Sequence, residues 1–391
     1  MSVWIAAAGW LLLAFWLVLS LPSVGTLPWR SLRRRTAGLS PLKSFPRLSV
    51  IVPARDEAAA IEQTLVSLLE NGYPQLEVIA VDDRSTDGTG EIMDALAGRY
   101  SQLRVLHVAE LPDGWLGKNH AMHRGATAAE GEWLLFTDGD IFFAPGALAR
   151  TVGYCVSRQI DHLCLLPAMM TRSYLESALV AAFGLIFTTG TQPWLVPSPW
   201  RRAYAGVGAF NMVRRRVYDE VGGHLPLRLE VVDDVKLGKL IKRSGHRSDV
   251  LLSDGEIRVR WQSSAWQTIV GLEKNAFAAL EYSIVALLRV SFCALAVFTV
   301  PYIVMLVWLL GGCGLATALP YVLVIVAAHC SYTAVAVLFE AGWAVCPMLP
   351  VAMLGLLLAF WRSAVLTLWR GGVRWRETFY PLSELRSGIY R

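Results

Sequence analysis

The chain has 391 residues, of which 54% are hydrophobic and only 17% are charged, and its mean hydropathy is +0.44. This composition is too apolar for an ordinary soluble enzyme and predicts a membrane protein. The formal net charge of +5 suits a domain that rests on anionic lipid. Because the sequence contains no basic helix and no aromatic stacking motif, nucleic acid is not expected as a partner.

The first apolar stretch predicts an N-terminal membrane anchor at residues 1–27. Residues 3–24 carry no charge and are long enough to cross roughly 30 Å of hydrocarbon. A cleaved signal peptide is the alternative, but no basic residue precedes the stretch and no clear cleavage site follows it. By the positive-inside rule, the arginines that come next place the following domain in the cytoplasm. They are Arg30, Arg33, Arg34 and Arg35.

The middle of the chain predicts an α/β domain at residues 46–275. Short apolar runs predict strands at residues 48–52, 77–81, 105–108 and 133–136,. Helical patterns alternate with them at residues 57–70, after residue 87, and at 118–129 and 235–241,. Strands and helices that alternate at this spacing favour a mostly parallel sheet with helices on both faces.

Two acidic clusters follow predicted strands. Residues 81–88 read VDDRSTDG, and residues 137–140 read TDGD. The carboxyl ends of parallel strands are where open α/β sheets bind ligands. Asp138 and Asp140, one residue apart on an extended chain, can hold a hard divalent cation through oxygen atoms, and that cation can hold a diphosphate. The sequence therefore points to an enzyme that handles a nucleotide diphosphate compound.

Five segments in order carry a family resemblance. They read PARDE at 53–57, VDDRSTDG at 81–88, GK at 117–118, DGD at 138–140 and DDVKLG at 233–238. Together they resemble the motifs of family 2 inverting glycosyltransferases. The resemblance implies the GT-A fold, a Rossmann-like sheet that binds a nucleotide sugar, here a UDP- or GDP-sugar, and a divalent metal, Mg²⁺ or Mn²⁺. The flanking membrane segments make the chain similar to the lipid-modifying branch, which includes ceramide glucosyltransferase-like, hopanoid-associated and carotenoid glycosyltransferases.

The resemblance also implies roles on the donor side. Asp138 and Asp140 would bind the metal, Asp82 and Asp83 would contact the uracil or ribose, and Lys118 would reach the diphosphate as a point charge. Residues 53–57 would wrap the base, with Asp56 and Glu57 accepting hydrogen bonds. Simple turns, a solvated lysine and an ordinary helix N-terminus are the alternatives at these positions. The donor-side candidates are therefore Pro53, Glu57, Asp82, Asp83, Lys118 and Asp138, with Asp138 and Asp140 as metal ligands.

Asp233 and Asp234 are the candidates for catalysis. Inversion requires a base that takes the proton of the acceptor hydroxyl, and Asp234 matches the aspartate of the family's acidic pair. Asp233 stands where that pair usually has glutamate. The helix predicted at 235–241 would put the base at a helix N-terminus, where an anion is favoured. A pair that only caps this helix is the alternative.

One motif departs from the family pattern. Residues 262–266 read QSSAW, with Ala265 where processive and ceramide-type members carry an arginine that helps to hold the diphosphate or the acceptor. The departure puts processive polymer synthesis in doubt. Gln262 and Trp266 remain candidates for substrate binding. An interfacial tryptophan is the alternative for Trp266.

Two further apolar regions complete the predicted layout. Residues 174–202 are interpreted as an interfacial segment or, alternatively, a buried core helix. About three transmembrane helices are predicted within 284–369, followed by a basic tail at 370–391. Three complete spans would put that tail outside, whereas its arginines favour the cytoplasm, so either one segment is re-entrant or the charge count misleads.

The expected function is transfer of a sugar from a nucleotide-diphosphate sugar to the hydroxyl of a lipid acceptor with inversion. The acceptor would be a sphingolipid, a hopanoid, a carotenoid or a similar lipid. The protein would be integral to a membrane, the bacterial cytoplasmic membrane being expected, with the catalytic domain in the cytoplasm. The alternatives are a polyprenyl-phosphate or polysaccharide glycosyltransferase, and an inactive GT-A binding module.

Overall fold

A computed structural model describes residues 2–40, 42–262 and 264–390. Ser263 of the 262–266 motif and Arg391 of the predicted tail lie outside the described residues, as do Met1 and Pro41. The chain divides into two compact units. A helical unit comprises Met1–Thr26, Met169–Gln192 and Gln262–Leu382, and a sheet unit comprises Leu27–Ala168, Pro193–Trp261 and Ser383–Arg391.

The helical unit begins with α1 and contains most of the apolar residues at the two ends of the chain. Its helices are α1 (Ser2–Thr26), α7 (Tyr174–Thr191), α10 (Ala265–Gly271), α11 (Ala276–Ala279), α12 (Ile284–Phe298), α13 (Val300–Leu309), α14 (Leu315–Leu338) and α15 (Leu349–Arg370). The helices of the sheet unit are α2 (Leu32–Thr36), α3 (Ile61–Leu69), α4 (Thr89–Ala97), α5 (Gly117–Ala128), α6 (Ala147–Arg158), α8 (Arg215–Glu220) and α9 (Asp233–Arg243), and α16 (Leu382–Ser387) follows near the C-terminus. Short 3₁₀ helices lie at Leu27–Arg30, Pro193–Leu195, Leu225–Leu227 and Trp343–Met348.

Twelve strands are present among the described residues. They are β1 (Leu48–Ala54), β2 (Leu76–Asp83), β3 (Leu103–Val108), β4 (Trp133–Phe136), β5 (Ile141–Phe143), β6 (His162–Leu166), β7 (Ala168–Met169), β8 (Asn211–Arg214), β9 (Ser248–Leu252), β10 (Ile257–Val259), β11 (Gly372–Trp375) and β12 (Thr378–Pro381). The main sheet has the order β3-β2-β1-β4-β8-β6-β9. Only β8 runs antiparallel to its neighbours in it, which confirms the predicted mostly parallel α/β sheet.

The strands of the sheet unit form because their apolar runs can be buried on both faces. Every residue of β1 is buried, as a strand flanked by parallel neighbours and covered by helices requires. Helix α5 packs across β1 and β2, and Gly125 permits the contact, since a Cβ there would lie 2.5 Å from Ile51. The helix predicted to start at residue 57 begins at Ile61 instead, because residues 57–60 form a turn in which the Glu57 carbonyl accepts from the Ala60 and Ile61 amides.

The helical unit is held together by close helix contacts. Helix α1 packs along α14, where Gly9 leaves room for the next helix, since a Cβ there would lie 2.7 Å from the ring of Tyr321. The Tyr321 hydroxyl donates to the carbonyl of Ile5 at 2.8 Å. Small residues at such an interface let helices pack closely, which matters in a membrane because the hydrophobic effect does not drive helices together there.

Among the described residues, five helical segments are long and apolar enough to cross a membrane. They are Val3–Arg30, Tyr174–Leu195, Ile284–Leu309, Leu315–Leu338 and Trp343–Arg370. The last three lie in the region for which the sequence predicts about three transmembrane helices, and their crossing of a membrane stays a prediction. The segment Ile284–Leu309 is interrupted between α12 and α13, beside Pro301 at the start of α13.

Chain connectivity limits how many of these segments make complete crossings. Both flanks of α7 belong to the sheet unit, and a helix that separated them would put parts of one sheet on opposite sides of a membrane. Residues 383–390 also belong to the sheet unit. Whether one of the three C-terminal segments is re-entrant stays a prediction.

The region predicted as a basic tail is folded. Strands β11 and β12 pair as a hairpin, and α16 follows. The last residues return to α9, where the carbonyl of Tyr390 accepts from Lys236 at 2.8 Å and from Lys239 at 3.2 Å. These hydrogen bonds attach the C-terminal end of the described chain to α9.

Candidate active site

The sheet brings the motifs at residues 53–57, 81–88 and 137–140 to one edge. Strand β1 lies between β2 and β4 and runs parallel to both. In this register Ala54 pairs with Asp82, and the segment after Phe136 emerges beside them. The acidic clusters that the sequence separates by about fifty residues are thus neighbours, as expected for strand ends of a parallel sheet.

Lys118 connects the metal motif to the acidic pair of α9. Its Nζ lies 2.7 Å from Asp138 Oδ1 and 3.8 Å from Asp233 Oδ1. Burial alone would lower the pKa of Lys118, but the carboxylates of Asp138, Asp233 and Asp234 outweigh it and raise that pKa above its usual value. Lys118 therefore carries a positive charge among several carboxylates.

Asp140 lies near the carboxylates of Asp138 and Glu57, and Lys118 only partly offsets their negative charge. Burial, followed by the negative charges of Asp138 and Glu57, raises the pKa of Asp140 to about 7. A bound cation would stabilise the ionised form of such closely spaced, buried carboxyl groups. Their oxygen atoms are ligands that Mg²⁺ and Mn²⁺ prefer. No group of three or more metal-ligating side chains occurs among the described residues. Two carboxylates would leave the other coordination positions to diphosphate oxygens and water.

Asp233 and Asp234 form the first turn of α9 and differ in their surroundings. Asp233 is 3% exposed, and within the described residues its Oδ2 has no hydrogen-bond partner. Burial raises the pKa of Asp233 to about 7 even though Lys118 opposes the shift. Asp234 is half-buried, its Oδ1 accepts from the Val235 amide at 2.8 Å, and burial raises its pKa as well.

Two glycines let the metal motif and the acidic pair approach each other. A Cβ on Gly208 would lie 2.7 Å from Asp138 Oδ2 and 3.5 Å from Asp234 Oδ2. A Cβ on Gly206 would overlap the carbonyl oxygen of Asp234. Sequence reasoning missed both residues, and the only signal was the Gly-x-Gly spacing in an otherwise irregular segment.

Asp82 and Asp83 already have partners within the protein. Asp83 is 4% exposed and receives two hydrogen bonds from Arg84, at 2.8 Å and 3.0 Å. Asp82 Oδ1 accepts from the Ser85 amide at 3.1 Å, and its Oδ2 lies 3.1 Å from Nδ1 of His107. The pair therefore shapes the turn at the end of β2, and its contact with a nucleotide stays a prediction.

That turn is tied to the segment after Pro53. The Asp56 amide donates to Ser85 Oγ at 3.1 Å, and the Glu57 amide donates to Thr89 Oγ1 at 2.9 Å. In return, the Thr86 amide donates to Asp56 Oδ1 at 2.9 Å. We call residues 54–58 and 84–89 together the donor loops. The Asp56 carboxylate joins the two loops through this hydrogen bond. It therefore has a structural role in addition to its predicted contact with the base.

Gln262 and Trp266 belong to the helical unit, and their predicted substrate contacts stay predictions. Trp266 lies on α10 and is 56% exposed. The guanidinium of Arg362, from α15, lies 5.7 Å from the centre of its ring. A cation thus accompanies this tryptophan although Ala265 replaces the arginine expected beside it.

Comparisons with known proteins agree with this geometry. Residues 49–166 match the family model described as glycosyl transferase family 2. A 4,4'-diaponeurosporenoate glycosyltransferase of Staphylococcus aureus strain USA300 is 27% identical over 194 residues, 49% of this chain and 50% of that protein. The chain thus spans about half the length of the relatives that it matches.

A solved structure resembles most of the chain. It is the mannosyltransferase PcManGT from Pyrobaculum calidifontis in complex with GDP-Man and Mn²⁺, which is 20% identical and superimposes with a TM-score of 0.52 over 92% of this chain and 99% of that one. At this identity the likeness concerns the fold, and it confirms the predicted GT-A architecture.

Proposed function

We propose that the chain, whose residues 49–166 match the glycosyl transferase family 2 model, transfers a sugar from a nucleotide-diphosphate sugar to the hydroxyl of a lipid. The observation that carries the proposal is Lys118, which lies between Asp138 of the metal motif and Asp233 beside the base candidate Asp234. One cation thereby joins the carboxylate that would hold the donor to the acidic pair that contains the proposed base.

On the donor side, the residues must neutralise the charge that develops on the leaving diphosphate. Lys118 supplies a fixed positive charge there, and a preorganised charge of this kind is worth far more in a poorly solvated site than in water. A divalent metal held by Asp138 and Asp140 would add electrostatic stabilisation of the same diphosphate. The donor loops would position the nucleoside, with Pro53, Glu57, Asp82 and Asp83 around it.

On the acceptor side, Asp234 is the better base of the acidic pair. It is half-buried, whereas Asp233 is only 3% exposed and lies 3.8 Å from the Nζ of Lys118. The raised pKa of Asp234 brings it closer to the neutral range in which a general base works best. Attack by the hydroxyl from the face opposite the diphosphate, with Asp234 taking its proton, inverts the sugar carbon in one displacement.

Two features support a lipid acceptor. The helical unit offers several segments long and apolar enough to enter a membrane, and a 4,4'-diaponeurosporenoate glycosyltransferase is 27% identical over 49% of this chain. Ala265 argues only against processive polymer synthesis, because ceramide-type members carry the same arginine. We also infer that the sheet unit is cytoplasmic, because arginines follow the first span. A cysteine introduced at exposed Glu110 should then be protected from an impermeant thiol reagent in intact cells, and labelling there would refute this orientation.

The test is transfer of a labelled sugar to extractable lipid. Membranes that contain the wild-type protein are incubated with radiolabelled UDP-glucose or GDP-mannose, and lipids are extracted and separated. Label should enter a lipid with wild type but not with Asp140→Ala or Asp234→Asn. A product that releases its sugar in mild acid would indicate a polyprenyl phosphate instead. If neither donor binds nor labels any lipid above membranes without the protein, the proposed function is wrong.

A further inference from the structure

His107 occupies a place that the proposed chemistry does not use. It lies on β3 in register with Asp82 of β2, and about half of its side chain is exposed. Its Nδ1 is 3.1 Å from Asp82 Oδ2, and its Nε2 is 3.1 Å from Asp94 Oδ1 on α4. These two carboxylates are the charged groups that face the ring from the elements packed against it. A neutral imidazole donates from only one nitrogen, so both contacts are hydrogen bonds only when the ring is doubly protonated.

The contact with Asp82 leads directly into the donor loops. The other oxygen of Asp82 accepts from the amide of Ser85, and Ser85 Oγ accepts from the amide of Asp56. Two hydrogen bonds therefore separate the Asp82 carboxylate from the segment that precedes Glu57. A change in how His107 holds Asp82 can alter the turn at residue 85, and with it the position of residues 56 and 57.

The packing around Asp82 leaves it little freedom to compensate. A Cβ on Gly90, in the first turn of α4, would lie 2.9 Å from Asp82 Oδ2 and 3.4 Å from Cε1 of His107. Helix α4 thus approaches the histidine–carboxylate contact as closely as a glycine permits. The carboxylate is 8% exposed, so water cannot readily replace a lost hydrogen bond.

We propose that His107 is a positioning residue for the nucleotide-sugar donor: its doubly protonated ring links Asp82 to Asp94 and thereby fixes the donor loops. This inference rests on the proposed function. It predicts that donor affinity falls as His107 loses a proton, because one of its two hydrogen bonds then becomes a contact between two acceptors. The hydrogen bonds with Asp82 and then with Asp94 raise the pKa of His107 above its ordinary value. The loss therefore occurs above the pH at which a free histidine titrates.

The experiment measures donor affinity against pH. GDP-mannose and UDP-glucose are titrated separately, with Mn²⁺, into the detergent-solubilised full-length protein between about pH 6 and about pH 9. Wild type should lose affinity by about five- to tenfold as the pH rises, since a charged hydrogen bond is at stake. His107→Gln should bind weakly at every pH, because a neutral amide cannot serve both carboxylates. His107→Arg keeps a cation and should bind tightly with a flat profile.

A matched control separates positioning from a general effect of a surface histidine. His246 lies 3.4 Å from the single carboxylate of Glu220 in the same unit, and His246→Gln should keep the wild-type pH profile. If His107→Gln also keeps that profile, or His107→Arg retains its pH dependence, the inference is wrong while donor binding stands. If the wild type binds neither donor at any pH, the proposed function fails and the inference falls with it. Should His107→Gln not fold, the profile of His107→Arg still decides.

Discussion

The sheet unit contains two Asp-Asp pairs that look alike in sequence but differ in their surroundings. Asp82 and Asp83 at the end of β2 have partners within the protein: Asp82 contacts Ser85 and His107, and Asp83 accepts from Arg84. Asp233 and Asp234 at the start of α9 face further carboxylates. We call Asp138, Asp140, Asp233 and Asp234 the inner carboxylate cluster, in which Lys118 is the cation close to Asp138 and Asp233.

The difference separates residues that hold the site's shape from residues that perform its chemistry. A satisfied carboxylate stabilises its surroundings, and its removal leaves hydrogen-bond donors without partners. A carboxylate crowded by others destabilises the empty protein and is stabilised by a cation. We call Asp82 and Asp83 the loop pair. Replacing a residue of the loop pair should therefore mainly lower stability, whereas replacing a carboxylate of the inner carboxylate cluster should mainly lower the rate of sugar transfer.

The largest effect is expected at Asp234. Asp234→Asn should reduce transfer by about 10²–10⁴-fold, the usual cost of losing a general base, while donor affinity stays near that of wild type because the base is not needed in the ground state. Measured rates of lipid glycosylation and donor titration on the same preparation test both parts. A rate that survives in Asp234→Asn but vanishes in Asp233→Asn would assign the base to Asp233.

A smaller effect on stability is expected when the cation of the inner cluster is removed. Lys118→Met should lower the free energy of unfolding by about 2–3 kcal/mol, because it leaves poorly solvated carboxylates without their positive partner. The double variant Lys118→Met/Asp138→Asn should recover part of this loss. Thermal unfolding in detergent measures both. Equal melting temperatures for wild type and Lys118→Met would show that the lysine does not hold the cluster together.

The smallest effect is expected at the loop pair, and it concerns stability. Asp82→Asn should lower the free energy of unfolding by about 1–2 kcal/mol through the lost contact with His107. Asp233→Asn should leave stability unchanged or raise it, since a carboxylate with a raised pKa is removed. The two melting temperatures, measured side by side, sharpen the comparison. A larger loss in Asp233→Asn than in Asp82→Asn would reverse it.

The sequence predicts the frame of the site because local patterns determine it. Apolar runs such as residues 48–52 and 133–136 fix the strands, and parallel strands must bring their carboxyl ends together. Asp82, Asp138 and Asp140 therefore had to lie at one edge of the sheet. Four of the five segments that carry the family resemblance lie within residues 49–166, which match the glycosyl transferase family 2 model.

Other parts of the site could not be predicted, because they depend on contacts between polar residues far apart in the chain. The hydrogen bonds between the donor loops join residues about thirty positions apart and follow no periodicity. No local pattern around His107 distinguishes it from an ordinary histidine. The contacts of Tyr390 with Lys236 and Lys239 join residues more than 150 positions apart, and no local pattern indicates them.

The proposed chemistry depends on a divalent metal that Asp138 and Asp140 would bind and that would hold the diphosphate of the donor. Titration of GDP-mannose or UDP-glucose into detergent-solubilised protein, with Mn²⁺, with Mg²⁺ and with excess chelator, measures this dependence. Wild type should bind a donor tightly only when a metal is present, and Asp140→Ala should bind it no better with metal than with chelator. Asp82→Asn should keep the metal dependence. Undiminished donor binding and transfer in excess chelator would contradict the claim.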